Sequence, residues 1–374
     1  MNYREFLRTK EMKLLVTTFI EKDDLGKLKP HFNEIRIRGL PQISRVLEPE
    51  ELIQEIRDIN VLIVEFEQIT QGVLTRSKQL KLIASVRAGP GANIDIEAAT
   101  KKDIPVLYSP GRSSDVVADF TMGLLIALTR NIAKGHFLVK TRQLTEKNPR
   151  RPGFAKRDIA WATNEPEKFP YLKLKGVGLK GKTLGILGFG AIGKEVAKRA
   201  ACFKMKIIAH DPYVSMKEAE KLGVSLVEKD KLFSEADFVS VHVKTTPDTD
   251  GLVGERELKL MKPGGFFINT SRGALVDQEA LYRALKKRTI AGAALDVFQS
   301  EPLTPDNPFL DLDNVVLTPH IAGACHENYE KASRIVTRGI KDYLDGKKPQ
   351  YIANPQVLHR KMSIRSKIAD VKGD

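Results

Sequence analysis

Arg272, Glu301 and His320 stand in an order and combination that suits anion binding and proton transfer. A guanidinium is permanently charged and offers a planar fork that meets a carboxylate with two parallel hydrogen bonds. An imidazole titrates near neutrality, so it can give a proton to an oxygen or take one back. A carboxylate beside that imidazole favours its charged form and fixes the ring. A cationic anchor, an acid and an imidazole are together what hydride transfer to or from a 2-hydroxy acid needs. Taken singly, His320 reads as a capped loop histidine, and the competing reading of Arg272 is an ion pair with a surface acid. The ordered set favours the chemical reading over both.

The hydride needs a carrier, and a glycine motif supplies a place for one. Gly188-Phe189-Gly190-Ala191-Ile192-Gly193 follows Thr183-Leu184-Gly185-Ile186-Leu187, a strand-like run, and precedes helical spacing over residues 191–201. Strand, tight turn and helix bring backbone N–H groups and a helix N-terminus up to a pyrophosphate. Gly188 is read as the turn, Gly190 as the close approach to phosphate, and Gly193 as the helix-to-strand contact. The next strand-like run ends in His210-Asp211-Pro212, which places an acid 18 residues beyond Gly193. An acid there accepts from ribose hydroxyls and repels a 2′-phosphate, so NAD is expected over NADP.

These residues must be carried on strand ends. Apolar runs at 13–19, 61–64, 82–86 and 106–108 read as strands, with helices near 50–57 and 94–102. A second series starts at Leu184, with strands near Ile207 and at 238–241, 266–269, 291–295 and 315–317. Such alternation predicts an α/β chain of two doubly wound domains, each a parallel sheet with helices on both faces. In such sheets ligands bind beyond the carboxyl ends of the strands, and Arg272 and His320 each follow one. Residues 116–132 read as one long apolar helix and 327–344 as another. Between the first and Leu184 runs a polar, basic stretch with Pro152, Trp161, Pro166 and Pro170, long enough to be functional or disordered.

At 374 residues, two domains are the prior. With 29% charged and 42% apolar residues the composition is that of a globular protein, and no apolar run reaches membrane-span length. The N-terminus does not read as a signal peptide. Cys202 and Cys325 are read as two reduced thiols of a cytoplasmic protein; no metal-ligand spacing is present. The net charge of +14 is spread along the chain, with local density at 134–157 and after His359. It is read as a solvated surface that attracts anionic substrates, not as a nucleic-acid footprint.

The chain resembles the D-isomer-specific 2-hydroxyacid dehydrogenase family, and most closely its phosphoglycerate-dehydrogenase-like branch. The resemblance rests on Val86-Arg87-Ala88-Gly89 through Asn93-Ile94-Asp95, the glycine motif, His210-Asp211-Pro212-Tyr213 and Val241-His242. It continues through residues 269–277, 293–298, Glu301-Pro302 and 317–323. It implies a Rossmann NAD domain over 114–322, carrying a basic insertion at about 134–178. It also implies a discontinuous, flavodoxin-like substrate domain over 1–113 and 323–374, and a homodimer built through the NAD domain.

Carried over by position, Arg272, Glu301 and His320 are the implied catalytic residues. Ala191, Ile192, Val243, Thr270, Asp296 and Gly323 join the glycines, Asp211, Arg272 and His320 along the cofactor. Asp296 is similar to the residue that holds the nicotinamide carboxamide. Arg87, Ala88 and Gly89, with Arg272 and His320, are the implied substrate contacts. Pro90, Ala92 and Pro110-Gly111-Arg112 depart from the phosphoglycerate pattern, which turns the expectation toward a sugar-derived or other polar 2-hydroxy acid. Arg87 or Arg112 would then meet an additional anionic or hydroxylated group. Glu301 argues against formate oxidation, because formate enzymes resemble the family but carry Gln there. An NAD(H)-sensing, corepressor-like binding module on the same fold is the alternative.

Overall fold

The computed structural model describes residues 12–145 and 169–358. The tail after residue 358 and most of the basic stretch, including Arg150, Arg151, Pro152, Trp161 and Pro166, lie outside the described residues. The chain divides into two compact units, residues 1–113 with 325–374 and residues 114–324.

In the first unit, five strands form one sheet: β1 (Lys13–Val16), β2 (Glu34–Ile37), β3 (Val61–Val64), β4 (Leu82–Ser85) and β5 (Val106–Leu107). Their order is β2-β1-β3-β4-β5 and every pairing is parallel. Both β3 and β4 are buried along their whole length, which is why they are unbroken runs of small and branched residues instead of alternating ones. Between the strands run α1 (Lys22–Leu28), α2 (Pro49–Ile56), α3 (Gln71–Arg76) and α4 (Ile96–Lys101). Side chains of Thr70 and Asp95 cap α3 and α4 by accepting from Val73 and Ala98 N–H groups.

Two readings are corrected here. Strand β1 stops at Val16, short of Phe19; beyond it the Thr17 and Thr18 hydroxyls donate to Glu67 and Glu65. Strand β2 escapes a search for apolar runs. It is an edge strand, Glu-Ile-Arg-Ile, whose Arg36 donates to Glu34, Glu55 and Asp58.

The second unit holds seven strands: β6 (Thr183–Leu187), β7 (Lys206–His210), β8 (Ser225–Leu226), β9 (Phe238–Val241), β10 (Phe266–Asn269), β11 (Gly292–Leu295) and β12 (Val315–Leu317). They are ordered β12-β11-β10-β9-β6-β7-β8, again all parallel. The chain thus starts in mid-sheet, runs out to one edge through β8, then returns past β6 to build the other side from β9. That reversal between β6 and β9 is the topological switch point of a dinucleotide fold; the first unit has its own between β1 and β3. Two doubly wound parallel sheets are what the alternation of runs predicted.

Helix α5 (Ser114–Thr129) opens this unit and buries Ala118, Met122, Leu125 and Leu128 against β10, β11 and β12. It is not the single helix over 116–132 that its apolarity suggests. Asn131 adopts a left-handed conformation (φ 53°), and α6 (Ile132–Lys140) sets off at 67° to α5. Asn tolerates that conformation better than most residues. Part of the expected basic loop is therefore helical. The remaining helices are α7 (Ala191–Cys202), α8 (Met216–Glu220), α9 (Lys229–Glu235), α10 (Glu255–Leu260) and α11 (Gln278–Lys286). The last, α12 (His326–Leu344), belongs to the first unit and buries Ala332, Val336, Ile340 and Tyr343 on one face against Leu14, Leu82 and Leu107. Among the described residues no single helix is long and apolar enough to cross a membrane.

Candidate active site

The register of the second sheet levels three strand ends. Asn269 lies beside Leu295, and Leu295 beside Leu317, so β10, β11 and β12 terminate together. Arg272, Glu301 and His320 leave from these neighbouring ends in that order. Glu301 Oε2 and His320 Nδ1 are 2.7 Å apart, and Glu301 Oε1 accepts the Phe298 N–H at 2.9 Å. With one oxygen on the backbone and the other on the ring, the carboxylate fixes the imidazole and leaves its Nε2 edge for another partner. The pair is partly exposed, with side-chain exposures of 43% for His320 and 34% for Glu301.

His320 itself has positive φ (55°), an uncommon backbone state for a residue with a Cβ. What holds it there is Asp296, which is fully buried. The Asp296 C=O accepts the His320 N–H at 2.8 Å. Its carboxylate takes the Thr318 hydroxyl and Ile321 N–H on Oδ1 (2.6 and 2.9 Å) and the Ala322 N–H on Oδ2 (2.9 Å). Three of its roughly four acceptor positions are thus used inside the chain. Gly323 follows directly on the loop that this carboxylate shapes.

Arg272 is exposed, with its Nη1 on the Ser271 C=O at 2.6 Å, and forms no ion pair among the described residues. Buried Asn269 shapes its loop: Oδ1 accepts the Ser271 N–H and Nδ2 donates to the Arg272 C=O, both at 3.0 Å. Ser271 donates its hydroxyl to the Val243 C=O at 2.7 Å, tying the β10 loop to the β9 loop. Gly273 then passes so close to the β11 loop that a Cβ would lie 2.0 Å from the Phe298 carbonyl carbon. Thr270, expected along the cofactor, turns its hydroxyl to Thr121 at 2.8 Å and is buried.

At the switch point, Gly188 has φ 91°, and a Cβ on it would lie 2.7 Å from His242 backbone atoms. A Cβ on Gly193 would lie 2.3 Å from the Gly188 C=O. The β6 and β9 loops and the helix therefore touch through backbone alone. On the other side of the turn, a Cβ on Gly190 would meet nothing within 4 Å, and α7 begins at Ala191 and Ile192 with no side-chain cap. Open space facing uncapped N–H groups fits a pyrophosphate. The Asp211 carboxylate accepts the Phe189 N–H at 2.8 Å and the Tyr213 N–H at 2.9 Å, so it braces the glycine turn while keeping lone pairs for hydroxyls. These residues fit an adenine dinucleotide.

His242, beside this turn, stands in the Val241-His242 match but carries no role in the sequence reading. Burial pushes its imidazole down to about 3 from an ordinary value of 6.5, so it is neutral at physiological pH. Its Nε2 meets the Ser240 hydroxyl at 2.8 Å, while Nδ1 is buried without a partner. Between about pH 6.5 and 3 the unfolded chain binds a proton that the folded chain refuses. The stability conferred by this neutral ring is complete above pH 6.5 and is lost as pH falls toward 3, by up to about 1.4 kcal/mol per pH unit. Denaturant melts of wild type and His242→Asn from pH 7 to 5 should diverge in slope; parallel slopes would remove His242 as the cause.

Arg87, Ala88 and Gly89 lie in the first unit, in the loop after β4. Arg87 lies over the Phe66 ring at 5.5 Å, its N–H donates to Ser85 Oγ and its C=O accepts the Ser109 N–H. Ala88 and Gly89 are exposed.

The description "D-isomer specific 2-hydroxyacid dehydrogenase, NAD binding domain" matches residues 122–322, more than half of the chain. The glyoxylate reductase of Thermococcus litoralis is 39% identical over 308 residues, covering 82% of this chain and 87% of that one. The chain belongs to the D-isomer specific 2-hydroxyacid dehydrogenase family. Its second unit holds the NAD-binding domain of these NAD-dependent enzymes, which act on a CH–OH group. The D-3-phosphoglycerate dehydrogenase of Methanocaldococcus jannaschii is 38% identical over 355 residues, covering 94% of this chain; the chain spans 61% of that relative's length. A solved structure, the TT0316 protein of Thermus thermophilus, superposes with a TM-score of 0.77 at 32% identity, over 91% of this chain and all of that one.

Proposed function

We propose that this dehydrogenase transfers hydride between NAD(H) and a D-2-hydroxy acid or its 2-oxo acid, with residues 114–322 as the cofactor domain and 1–113 with 323–374 as the substrate domain. The observation that carries the reading is the Glu301–His320 contact at 2.7 Å on the strand end next to the one that presents an unpaired guanidinium, Arg272. NAD(H), when bound, supplies or accepts the hydride. Arg272 grips the substrate carboxylate and polarises the adjacent carbonyl. His320 delivers a proton from Nε2 to the carbonyl oxygen in reduction and removes it in oxidation. Glu301 steadies the imidazolium, and Asp296, which holds the His320 loop, is the residue that would serve the carboxamide.

The reading extends to a homodimer formed through the cofactor unit and to a cytoplasmic location. It favours a small-molecule acid as partner and no nucleic acid. The NAD(H)-sensing binding module has no observation of its own to favour it.

Reduction of a panel of 2-oxo acids with NADH, paralleled with NADPH, tests the activity. Turnover that disappears in His320→Ala is the expected result; NADH binding with no turnover of any member would overturn it. The coenzyme choice is tested at Asp211. Asp211→Asn keeps one acceptor oxygen for the Phe189 and Tyr213 N–H groups and removes the charge, so the NADPH-to-NADH ratio of kcat/KM should rise about tenfold or more. An unchanged ratio would take cofactor discrimination away from Asp211.

A further inference from the structure

A cavity of about 230 Å³, open to solvent on one side, lies wholly within the first unit at the β5 edge of its sheet. Its walls are the end of β5 with Leu107 and Tyr108, one face of α12, and the segment of Gln350 and Tyr351. Ile352 bridges to Leu107 and the Ala353 N–H donates to the Val106 C=O at 2.8 Å, which holds that segment along the strand. The cavity shares no residue with the Arg272, Glu301 and His320 site.

Helix α12 carries two adjoining stripes. Ala332, Val336, Ile340 and Tyr343 are buried in the core. Lys331, Arg334, Ile335, Arg338 and Asp342, recurring at three and four residues, form the second stripe and line the cavity. That stripe sets three cations against one carboxylate. Arg338 Nε stands 3.9 Å from Asp342 Oδ2, a weak pairing for a side chain that is 82% exposed. Arg334 is exposed and makes no hydrogen bond or ion pair among the described residues. Its planar fork is open to an anion without breaking any contact. The rest of the lining is largely apolar: Leu107, Ile335 and the rings of Tyr108 and Tyr351, which meet edge to face at 6.3 Å.

Volume, charge and lining each restrict the occupant. A dry cavity of about 150 Å³ holds one benzene, so 230 Å³ suits a single ring with a small substituent. The tyrosine rings favour an aromatic body. An unpaired guanidinium beside two further cations favours a doubly charged acidic group. The chain's own residues 359–374 hold more Lys and Arg than Asp and Glu, so like charge opposes them here. We propose that this cavity is a second small-molecule site, which binds a single-ring aromatic dianion of the aryl phosphate class. The ring lies against Tyr108 and Tyr351, and the acidic group meets Arg334.

Phenyl phosphate is the probe, titrated calorimetrically into the full chain under saturating NAD, so that the glycine turn is already occupied. Inorganic phosphate, which lacks the ring, and benzyl alcohol, which lacks the charge, are the comparisons. One phenyl phosphate should bind per chain, tighter than either comparison by about tenfold or more. Arg334→Gln should weaken it about tenfold, the loss of one charge-assisted contact. The helix should tolerate that change, because the position is exposed and Gln is a good helix former. Arg272→Met should leave the affinity unchanged, which separates the cavity from an anion held at the substrate anchor. Binding that survives Arg334→Gln, that disappears in Arg272→Met, or that either comparison compound matches overturns the inference, and so does the absence of binding.

Discussion

His320→Ala is expected to lower turnover of a 2-oxo acid by roughly 10²–10⁴-fold, the range for loss of a positioned general acid. NADH affinity should stay within a few-fold of wild type, because the glycine turn and Asp211 are held by the β6, β7 and β9 loops, with no part played by the His320 side chain. The His320 backbone is fixed by Asp296 through its C=O and three side-chain bonds in the following and preceding residues. Removing the imidazole should therefore leave the loop in place, although alanine at φ 55° carries a strain penalty of order 1 kcal/mol. His320→Asn, which tolerates that backbone better, controls for the strain and should be equally slow. Glu301→Gln keeps an acceptor for the ring N–H but removes the charge that favours imidazolium. It should cost less than His320→Ala. Pre-steady-state measurement of NADH oxidation separates this from slow product release. An alanine variant with a hydride step within a few-fold of wild type would remove His320 from the chemistry.

What the amino-acid sequence displays best is what the parallel sheet demands most. Strands β3, β4, β9 and β10 are buried on both faces, so they appear as unbroken apolar runs. The edges are hidden for the opposite reason: β2 alternates Ile with charged residues, and β8 is two residues long. The break between α5 and α6 is invisible to a search for apolarity, because no charged residue interrupts the run between Asp119 and Arg130, and it is the left-handed Asn131 that turns the chain. The site shows the same division. Residues that meet a ligand carry distinctive chemistry and stand in recognisable motifs, as Arg272, Glu301 and His320 do. Residues that hold them there do not. Asn269, Ser271 and Thr318 look like ordinary loop polars until their hydrogen bonds to the Arg272 and His320 loops are seen.

Arg272 carries the second large effect. Its guanidinium makes a single bond to the neighbouring Ser271 C=O and has no acidic partner among the described residues, so its fork is available to a carboxylate without breaking an ion pair. Two charge-assisted hydrogen bonds at roughly 1.5–3 kcal/mol each place the loss in Arg272→Met at about 10²–10⁴-fold in kcat/KM. The split between kcat and KM says what the residue does. Pure anchoring raises KM alone, since ground state and transition state hold the same carboxylate. Polarising the carbonyl as charge develops on its oxygen lowers kcat as well. Both should appear, because a fork on the carboxylate also lies beside the adjacent carbonyl. Arg272→Lys keeps the charge but not the planar fork, so it should recover part of kcat while KM stays high. The loop itself should survive either change: Asn269 bonds to the Arg272 C=O and the Ser271 N–H, and Ser271 to Val243, all without the Arg272 side chain. Full activity in Arg272→Met would overturn the assignment, and equal failure of the lysine and methionine variants would show that geometry, not charge, is what the guanidinium supplies.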